Sequence, residues 1–373
     1  TLPVSGSFDV KEFFTEIRLP IVQNDFIEDF TITAGYRYSD YSTGNSTDTY
    51  KIEAELSPTP DFTLRGGYNR AVRAPTVQDL FAPVRVQLNG STDPCADFVI
   101  TAADVGCLAQ GLSVGQTVGS NPASQYNGQV GGNPDLTPET ADTYTAGIVL
   151  TPTFLPGFNA SVDWFKIDLV DAVQGYGQDT ILAVCTDTAD PFFCSLINRD
   201  GSGSLWRSSA GYVEDFSTNV GGIGTEGIDF QFGYSRQIAD AGRLNVSFVG
   251  TYLMSLTTDP GFEQAPQYDC AGLFGNTCSA GVLSWGPNPE WRHQMRVGFD
   301  FANGVGTSVR WRHFDSVDNE DGVAGGPNPN AAAARPGNAG FPSVDYFDLA
   351  LTFEVGDHYA FRLGANNVFD KEP

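Results

Sequence analysis

The sequence predicts an all-β protein, an antiparallel transmembrane β-barrel, and three observations lead to this fold class. Apolar and polar residues alternate with a period of two in many runs, as in strands that have one apolar and one polar face. The connections between these runs are alternately short and long, a pattern typical of outer-membrane barrels. No apolar run reaches the roughly 18 residues of a transmembrane helix, whereas a spanning strand needs only about 9–11 alternating residues.

About twelve strands are predicted. They cover 7–18, 28–41, 48–57, 62–73, 141–152, 158–169, 212–237, 243–258, 289–301, 305–317, 342–355 and 359–369, and a break of the seventh at Gly221-Gly222 is left open. Tight joins are expected at 19–27, 58–61, 153–157, 238–242, 302–304 and 356–358, and long loops at 74–140, 170–211, 259–288 and 318–341. One helical turn is predicted inside a loop, at 179–185. A soluble sandwich also alternates, but it has no reason to place all its long loops at one end.

The alternation assigns side chains to two environments. We expect the apolar members to face lipid, namely Leu244, Val246, Phe248, Met295, Val297, Phe299, Leu349, Leu351 and Phe353. The polar members are expected to face the lumen, namely Arg65, Arg292, Arg296, Asp300 and Glu354. The aromatic residues Trp164, Trp291, Trp311, Tyr346 and Tyr359 are expected to form a girdle at the membrane interfaces.

Charge and motif content exclude several classes of function. The net charge of −25 argues against nucleic acid as a partner, because phosphate binding needs clustered Lys and Arg. No Gly-x-Ser-x-Gly, phosphate loop or His-Glu-x-x-His occurs, so no enzymatic activity is predicted. The three histidines lie in or beside separate strands, and the acidic run 315–322 lacks the full calcium-ligand spacing. No metal and no cofactor are therefore expected.

The six cysteines occur as three close pairs, all within the predicted loops. The pairs are Cys95/Cys107, Cys185/Cys194 and Cys270/Cys278. An even count, local spacing and the absence of Cys-x-x-Cys predict three local disulfides formed in an oxidising compartment. Free thiols in a reducing cytosol are the alternative, and zinc fits neither the spacing nor the nearby residues.

Three short motifs stand at strand ends. The first is Arg70-Ala-Val-Arg-Ala-Pro-Thr-Val-Gln-Asp-Leu-Phe81, where Pro75 ends a strand and Leu80-Phe81 are expected to be buried. The second, Asn133-Pro-Asp-Leu-Thr-Pro-Glu139, begins the next strand, and the third is Asn366-Asn-Val-Phe-Asp-Lys371. Any strand-ending proline could produce the first motif alone, but the first two at opposite ends of one loop are more specific. Together the motifs resemble landmarks of TonB-dependent outer-membrane receptors, with Val72 where the family often has an aromatic residue.

The resemblance maps family-motif positions onto this chain and implies its architecture. The positions are Arg73, Ala74, Pro75, Asn133, Pro134, Leu136, Pro138, Glu139, Asn367, Phe369 and Asp370. The family's barrel has 22 strands. On that pattern residues 1–373 are the C-terminal part of the barrel domain, with about twelve strands, and the closing strand, the plug domain and the TonB box lie outside them. Counting back from the C-terminal motif makes the first strand run downward, and the loop pattern gives the same direction.

The resemblance further implies a receptor in the outer membrane of a Gram-negative bacterium that imports a scarce ligand. The expected partners are membrane lipid, the TonB complex acting through an N-terminal region outside these residues, and a small-molecule or oligosaccharide ligand. Siderophores, vitamins and oligosaccharides all remain open. A passive porin or autotransporter-type barrel is the main alternative, and a secreted β-sandwich adhesin is a third.

Aromatic residues in the long loops are the candidates for ligand contact. Tyr126, Tyr176, Trp206, Tyr212 and Trp285 could each stack on a sugar or a catechol ring. We expect specificity to reside in the loops 74–140, 170–211 and 259–288, because long loops on a rigid barrel can vary without breaking its hydrogen-bond ladder.

Overall fold

The computed structural model describes residues 3–23, 27–89, 92–262, 267–275, 278, 286–327, 339–355 and 358–372. In chain order its strands are β1 Val10–Gln23, β2 Asp29–Tyr41, β3 Ser46–Thr59, β4 Phe62–Arg73, β5 Arg85–Asn89, β6 Tyr126–Val130, β7 Glu139–Leu150, β8 Phe158–Val170, β9 Val173–Gln174, β10 Ile197–Asn198, β11 Tyr212–Glu214, β12 Thr218–Asn219, β13 Gly222–Ile238, β14 Gly242–Asp259, β15 Tyr268–Asp269, β16 Leu273–Phe274, β17 Trp291–Phe301, β18 Val305–Phe314, β19 Val317–Asn319, β20 Gly340–Phe341, β21 Val344–Val355 and β22 Tyr359–Ala365. The helices are α1 Val77–Phe81, α2 Val105–Ala109, α3 Gln178–Thr188 and α4 Pro191–Ser195.

Twelve long strands form one antiparallel sheet. Their order is β1-β2-β3-β4-β7-β8-β13-β14-β17-β18-β21-β22, so each long strand pairs with the next one along the chain. This confirms the predicted strand number and the alternation of short and long connections. Successive connections between neighbouring antiparallel strands lie at alternate ends of the sheet. The long loops follow the fourth, sixth, eighth and tenth long strands, so they all emerge at the same end. None of the helices in the described residues is long and apolar enough to cross a membrane.

The strand predicted over 212–237 is broken at Gly221-Gly222, where the sequence left a break open, and only the part from Gly222 onward is a long strand. The segment divides into β11, β12 and β13, and the long loop after β8 therefore runs to residue 221 rather than 211. Gly221 has φ +65°, and a Cβ there would lie 1.9 Å from the carbonyl oxygen of Asp259. Both the backbone conformation and the close approach require glycine, and both end the regular ladder at this point.

The strand register confirms that each predicted set of side chains shares one face. Phe248 is opposite Met295, Val246 is opposite Val297, and Val309 is opposite both Val297 and Leu349. The polar face lines an open concavity of about 860 Å³, whose lining includes Arg65. The prediction that Tyr346 belongs to the aromatic girdle was wrong. Tyr346 lies opposite Arg312 on the polar face, and the Arg312 guanidinium is 5.0 Å from its ring.

The buried core lies in the loops rather than under the sheet. The largest fully buried side chains are Tyr126, Ile100, Leu136, Ile181, Leu182 and Leu205, none of which belongs to a long strand. Apolar side chains of the sheet remain exposed, including Phe13 at 64% and Leu363 at 60%. A soluble sandwich would bury this face against a second sheet. The small sheets among the described residues are built within the loops, so none of them covers the exposed apolar face.

Strand β22 ends at Ala365, four residues earlier than predicted, and the third motif follows it. Asn367 and Asp370 both have positive φ, and the Asn367 side chain accepts from the Lys371 N–H and donates to the Lys371 carbonyl. The Asn367 N–H also donates to Asp348 Oδ1 at 2.8 Å. Residues 366–371 therefore form a turn rather than the end of a strand, because asparagine and aspartate tolerate the left-handed conformation that a ladder does not use.

Candidate functional site

The two largest loops fold together into one unit, which we call the cap (described residues of 74–138 and 171–221). A four-stranded sheet in the order β10-β11-β6-β5 takes two strands from each loop, and β11 pairs with β6 in parallel. The Asn127 N–H also donates to the Leu205 carbonyl oxygen at 2.9 Å. Neither loop has a complete sheet alone, so the two form a single folded element.

The larger core of the cap surrounds α3 and α4. Ile181, Leu182, Phe193, Leu205 and Val213 are buried there. The predicted helical turn at 179–185 is an eleven-residue helix. The next helix, α4, starts in a regular way, with Pro191 in its first turn and the Asp190 carboxylate accepting from two backbone N–H groups.

The three predicted disulfides are confirmed, and two of them lie in the cap. Cys185–Cys194 joins α3 to α4, and Cys95–Cys107 closes a smaller core with Ile100 and Val118. The α2 helix of this smaller core approaches α3 so closely that a Cβ at Gly106 would lie 2.1 Å from the Thr186 carbonyl oxygen. The third disulfide, Cys270–Cys278, belongs to another loop assembly, in which β16, β19 and β20 form a three-stranded sheet.

A buried ion pair connects the two parts of the cap. Arg199 donates to both carboxylate oxygens of Asp93, at 2.6 and 2.8 Å, and the two side chains are only 3% and 4% exposed. The same guanidinium donates to the Gln110 side-chain oxygen and to the Gly203 carbonyl. Such a pair holds its geometry only when every donor is satisfied, as it is here. Sequence reasoning missed this pair, because its two members are far apart in sequence and neither stands in a motif.

The first two motifs meet at the base of the cap. Arg73 donates to both Glu139 and Asp79, and Asp79 completes a capping box with Thr76 at the start of α1. The Asn133 N–H donates to the Asp79 carbonyl oxygen at 2.8 Å. The motif residues therefore fix the angle at which the loop leaves the barrel and returns to it.

Two further motif side chains differ in how they are placed. Leu136 is 2% exposed, and Leu80 is also buried as predicted. The prediction that Phe81 is buried was wrong, since its side chain is 40% exposed. It lies at the last position of a five-residue helix, and a Cβ added at Gly6 would be 2.5 Å from its ring.

The structure separates the predicted ligand-contact residues. Tyr126 is only 1% exposed, and its hydroxyl is held by Asp179 and Asn89, so its ring packs in the core and is not available for stacking. Burial, with the bond to Asp179, raises the pKa of Tyr126 above its ordinary value. Trp285 lies outside the described residues.

Three of the predicted residues remain at least partly accessible. Tyr212 starts β11, and the Trp206 Nε1–H donates to the Gly119 carbonyl oxygen while Arg207 lies over its ring. Tyr176 contacts a group of phenylalanines, which we call the aromatic cluster: Tyr176, Phe192, Phe193 and Phe262. Phe192 exposes 51% of its surface. The aromatic pair after Pro191 was the sequence signal for this cluster, and the prediction overlooked it.

The cap stands at the long-loop end of a polar lumen. The inner faces of β1 to β14 place ionised side chains around the large concavity, including Arg18, Glu53, Arg65 and Asp163. Within the described part of the chain, no group of three or more His, Cys, Asp or Glu side chains is arranged to hold a metal ion. The arrangement places a folded loop unit at one end of a polar concavity.

Comparison with known proteins places this geometry among related barrels. A family model described as TonB dependent receptor-like, beta-barrel, matches residues 5–368. Similar solved structures include the siderophore receptor PirA from Acinetobacter baumannii (14% identity, TM-score 0.60), the ferric enterobactin receptor PfeA from Pseudomonas aeruginosa in complex with BCV-L6 (14%, 0.63) and the FrpB iron transporter from Neisseria meningitidis (15%, 0.52).

These matches cover nearly all of this chain but only part of the others. They cover 98%, 100% and 97% of this chain, and 42%, 41% and 41% of the respective neighbours. The chain thus spans less than half the length of each of these receptors. At this level of identity the likeness shows the fold alone. No curated protein matches the sequence.

Proposed function

The chain belongs to the family of TonB-dependent receptor β-barrels, and on this premise we propose that it is part of an outer-membrane receptor for the active import of a ferric siderophore. The observation that carries the proposal is the cap, in which two loops form one disulfide-bonded unit at the long-loop end of the barrel. A folded and partly aromatic surface at the mouth of a polar lumen suits capture of a scarce solute before transport.

The aromatic cluster supports a ligand that has aromatic rings. The exposed ring of Phe192 and the half-buried ring of Tyr176 are in contact and offer flat apolar surface for stacking. Catecholate siderophores combine aromatic rings with anionic oxygens. The similar structures named as siderophore and iron receptors favour the same ligand class over vitamins or oligosaccharides.

Import in this proposal depends on partners beyond the described residues. The apolar outer face contacts outer-membrane lipid, a plug domain fills the lumen, and the TonB complex supplies energy through an N-terminal segment. The 22-stranded barrels of this family have a lumen wide enough to hold a plug. A passive porin would need neither the plug domain nor the TonB complex, and its pore would be open without an energy source.

Ligand binding to the purified full-length receptor tests the ligand class. Ferric catecholate, ferric hydroxamate, cobalamin and a malto-oligosaccharide are titrated separately, and we expect tight binding of a ferric siderophore only. Phe192→Ala should weaken that affinity by about threefold to tenfold, since ring stacking contributes roughly 0.5–1.5 kcal/mol. Phe154→Ala is the matched control, because Phe154 is an exposed phenylalanine in the short turn at the opposite end. Selective binding of cobalamin or the oligosaccharide would overturn the siderophore assignment.

A further inference from the structure

One arrangement of side chains repeats on the outer, apolar face of the large sheet. An aromatic donor on a strand that runs toward the long-loop end bonds a carboxylate on the next long strand. We call these the aromatic–carboxylate pairs: Tyr36–Asp48 (2.5 Å), Tyr68–Asp142 (2.7 Å), Trp164–Glu226 (2.9 Å) and Trp311–Asp345 (2.6 Å). In each pair the carboxylate lies two residues beyond the residue directly opposite the aromatic side chain, toward the long-loop end. The four pairs therefore share one geometry.

The pairs lie at a common height on the barrel wall. The strands β2, β4, β8 and β18, which carry the aromatic residues, all start at the short-turn end. Tyr68, Trp164 and Trp311 each come six residues after the first residue of their strand, and Tyr36 comes seven residues after it. Because successive residues of a strand rise by a constant distance, equal counts place the four aromatic side chains at about the same level.

This level is the upper limit of the apolar band. On β8 the outer face carries Phe158 and Val162 on the short-turn side of Trp164, and Lys166 and Asp168 on the long-loop side. Aromatic residues at such a boundary between apolar and charged surface are typical of the membrane interface. The carboxylates of the pairs therefore stand at the height of the lipid headgroups on the side of the cap.

Three of the four carboxylates use only one oxygen within the protein. Asp48, Glu226 and Asp345 each accept the aromatic donor at one oxygen, and among the described residues the second oxygen has no hydrogen-bond partner. Asp142 differs, because Arg70 donates to both of its oxygens, at 2.8 and 2.6 Å. The aromatic donors thus orient three carboxylates and leave each with a free acceptor.

The pairs are not needed to hold neighbouring strands together. At the equivalent position of β14 and β17, Phe248 lies opposite Met295, and His293 stands where the carboxylate would be. The rings of Phe248 and His293 stack at 5.4 Å, so this position has neither the donor nor the carboxylate. Its backbone ladder is nevertheless continuous with that of the other strands. A role for the carboxylates outside the protein is therefore open.

The sign of the charge restricts the headgroups that fit. An aromatic girdle ordinarily leaves its O–H and N–H groups for acceptors at the interface. Here the protein uses these donors itself and offers carboxylate acceptors instead, with Arg70 and Lys166 opposite two of the four carboxylates. Anionic headgroups are bound by clusters of Lys and Arg, so this surface disfavours them. An uncharged headgroup that is rich in hydroxyl donors fits it.

We propose that the three open pairs, Tyr36–Asp48, Trp164–Glu226 and Trp311–Asp345, bind the sugar headgroups of uncharged glycolipids in the outer leaflet. The inference rests on the proposed function, because only a receptor in the outer membrane presents this face to such lipids. A sugar donates hydroxyl groups to the free carboxylate oxygen and stacks its apolar face on the aromatic ring. The Tyr36 side chain, at 41% exposure, is accessible for this contact.

Lipid binding to the purified full-length receptor tests the proposal. The receptor in detergent with EDTA is titrated with galactosyl diacylglycerol, phosphatidylcholine or phosphatidic acid of matched acyl chains, and bound lipid is counted by native mass spectrometry. The galactosyl lipid should bind about tenfold more tightly than either phospholipid, because hydrogen bonds to charged groups are the stronger ones. This measurement on the wild type requires no variant to fold.

Substitution of the three open carboxylates locates the sites. Asp48→Asn/Glu226→Gln/Asp345→Asn keeps the side-chain shapes but removes the charges, and should reduce the preference to less than about threefold. The matched control is Asp229→Asn, a carboxylate that accepts from the Thr251 hydroxyl at 2.7 Å on the lumen face. It should leave the preference unchanged.

Four outcomes would overturn the proposal. Equal affinity of the wild type for the three lipids would reduce the pairs to unspecific lipid contact, and a preference that survives the triple substitution would place the glycolipid elsewhere. Tighter binding of phosphatidic acid would contradict the charge argument, and such binding only with Mg²⁺ in place of EDTA would assign the carboxylates to a bridging cation. Ferric-siderophore binding is measured on the same samples, so that failure of the proposed function is seen separately from failure of the glycolipid sites.

Discussion

At the scale of single residues, the cap depends on a few polar side chains that are held away from water. Glu139 is 3% exposed and bonds Arg73 and the Val173 N–H, so one carboxylate joins a motif at the first loop to the start of the second. Asp215 accepts from the Gly177 N–H with fewer partners. Arg73 and Glu139 were predictable as motif positions, because the first and second motifs place them at the two ends of one loop. Asp215 stands in no motif, and its burial follows from tertiary packing alone.

Asp215 gives a prediction about pH. Burial raises the pKa of its carboxyl, and the backbone N–H groups of Gly177 and Tyr176 only partly oppose this. A raised pKa in the folded state means that stability present in acid is lost as pH rises from the unfolded value of about 3.9 through the folded value. Asp215→Asn should therefore match wild type near pH 3 and protect the cap better at pH 8, as measured by hydrogen exchange of residues 173–177.

The matched control is Asp240→Asn, an exposed carboxylate in a short turn at the other end. It should not change cap protection at either pH. Faster exchange in Asp215→Asn at pH 8 would show that the ionised carboxylate stabilises the cap and would contradict this account.

At the scale of elements, the loops behave as one folded unit. The alternation of strands was predictable because a period of two is local in sequence and each face has one solvent. The pairing of β6 with β11 was not, since it joins residues of two different loops and depends on which apolar side chains are buried together. For the same reason α3 was predicted only as a short turn, although local Cys pairing correctly predicted its disulfide.

The buried Arg199–Asp93 pair tests whether the two loops form one unit. Arg199→Met leaves the Asp93 carboxylate buried without a counter-charge, which should destabilise the cap by about 3–5 kcal/mol. Arg199→Met/Asp93→Asn removes both charges and should cost clearly less than the single substitution. Native-state hydrogen exchange of both loops gives the opening free energies, and protection should fall in both loops together.

Arg207→Met is the control at this scale, because Arg207 is an exposed arginine of the same loop. It should change the opening free energy by less than about 1 kcal/mol. Loss of protection in the 171–221 loop alone would show that the loops fold independently.

At the scale of the whole molecule, the distribution of apolar surface is inverted relative to a soluble protein. Buried apolar residues lie in the loops, and the sheet exposes its apolar face. Among the described strands, β1 and β22 are each paired on one side only. Sequence periodicity predicted this architecture well, because successive side chains of each strand alternate between an apolar and a polar face.

Substitution on the two faces tests the orientation of the sheet. Val297 lies in a row of apolar side chains with Val246, Val309 and Leu349. Val297→Arg should destabilise the full-length barrel by about 2–4 kcal/mol, since a charge near the bilayer midplane is costly. Gln231→Arg, on the polar face near Asp229, should be close to neutral. Urea unfolding in lipid vesicles provides the comparison, and equal effects of the two substitutions would contradict the assignment of the faces.

Uptake of ferric siderophore by cells that carry the full-length receptor, with and without TonB, tests the central claim most directly. The receptor is expressed in a strain lacking its other siderophore receptors, and radiolabelled iron is followed into the cell. The account predicts uptake that saturates at low ligand concentration and disappears without TonB, while binding at the surface persists. Uptake that is the same without TonB, or that rises in proportion to ligand concentration, would identify a passive pore and contradict the account.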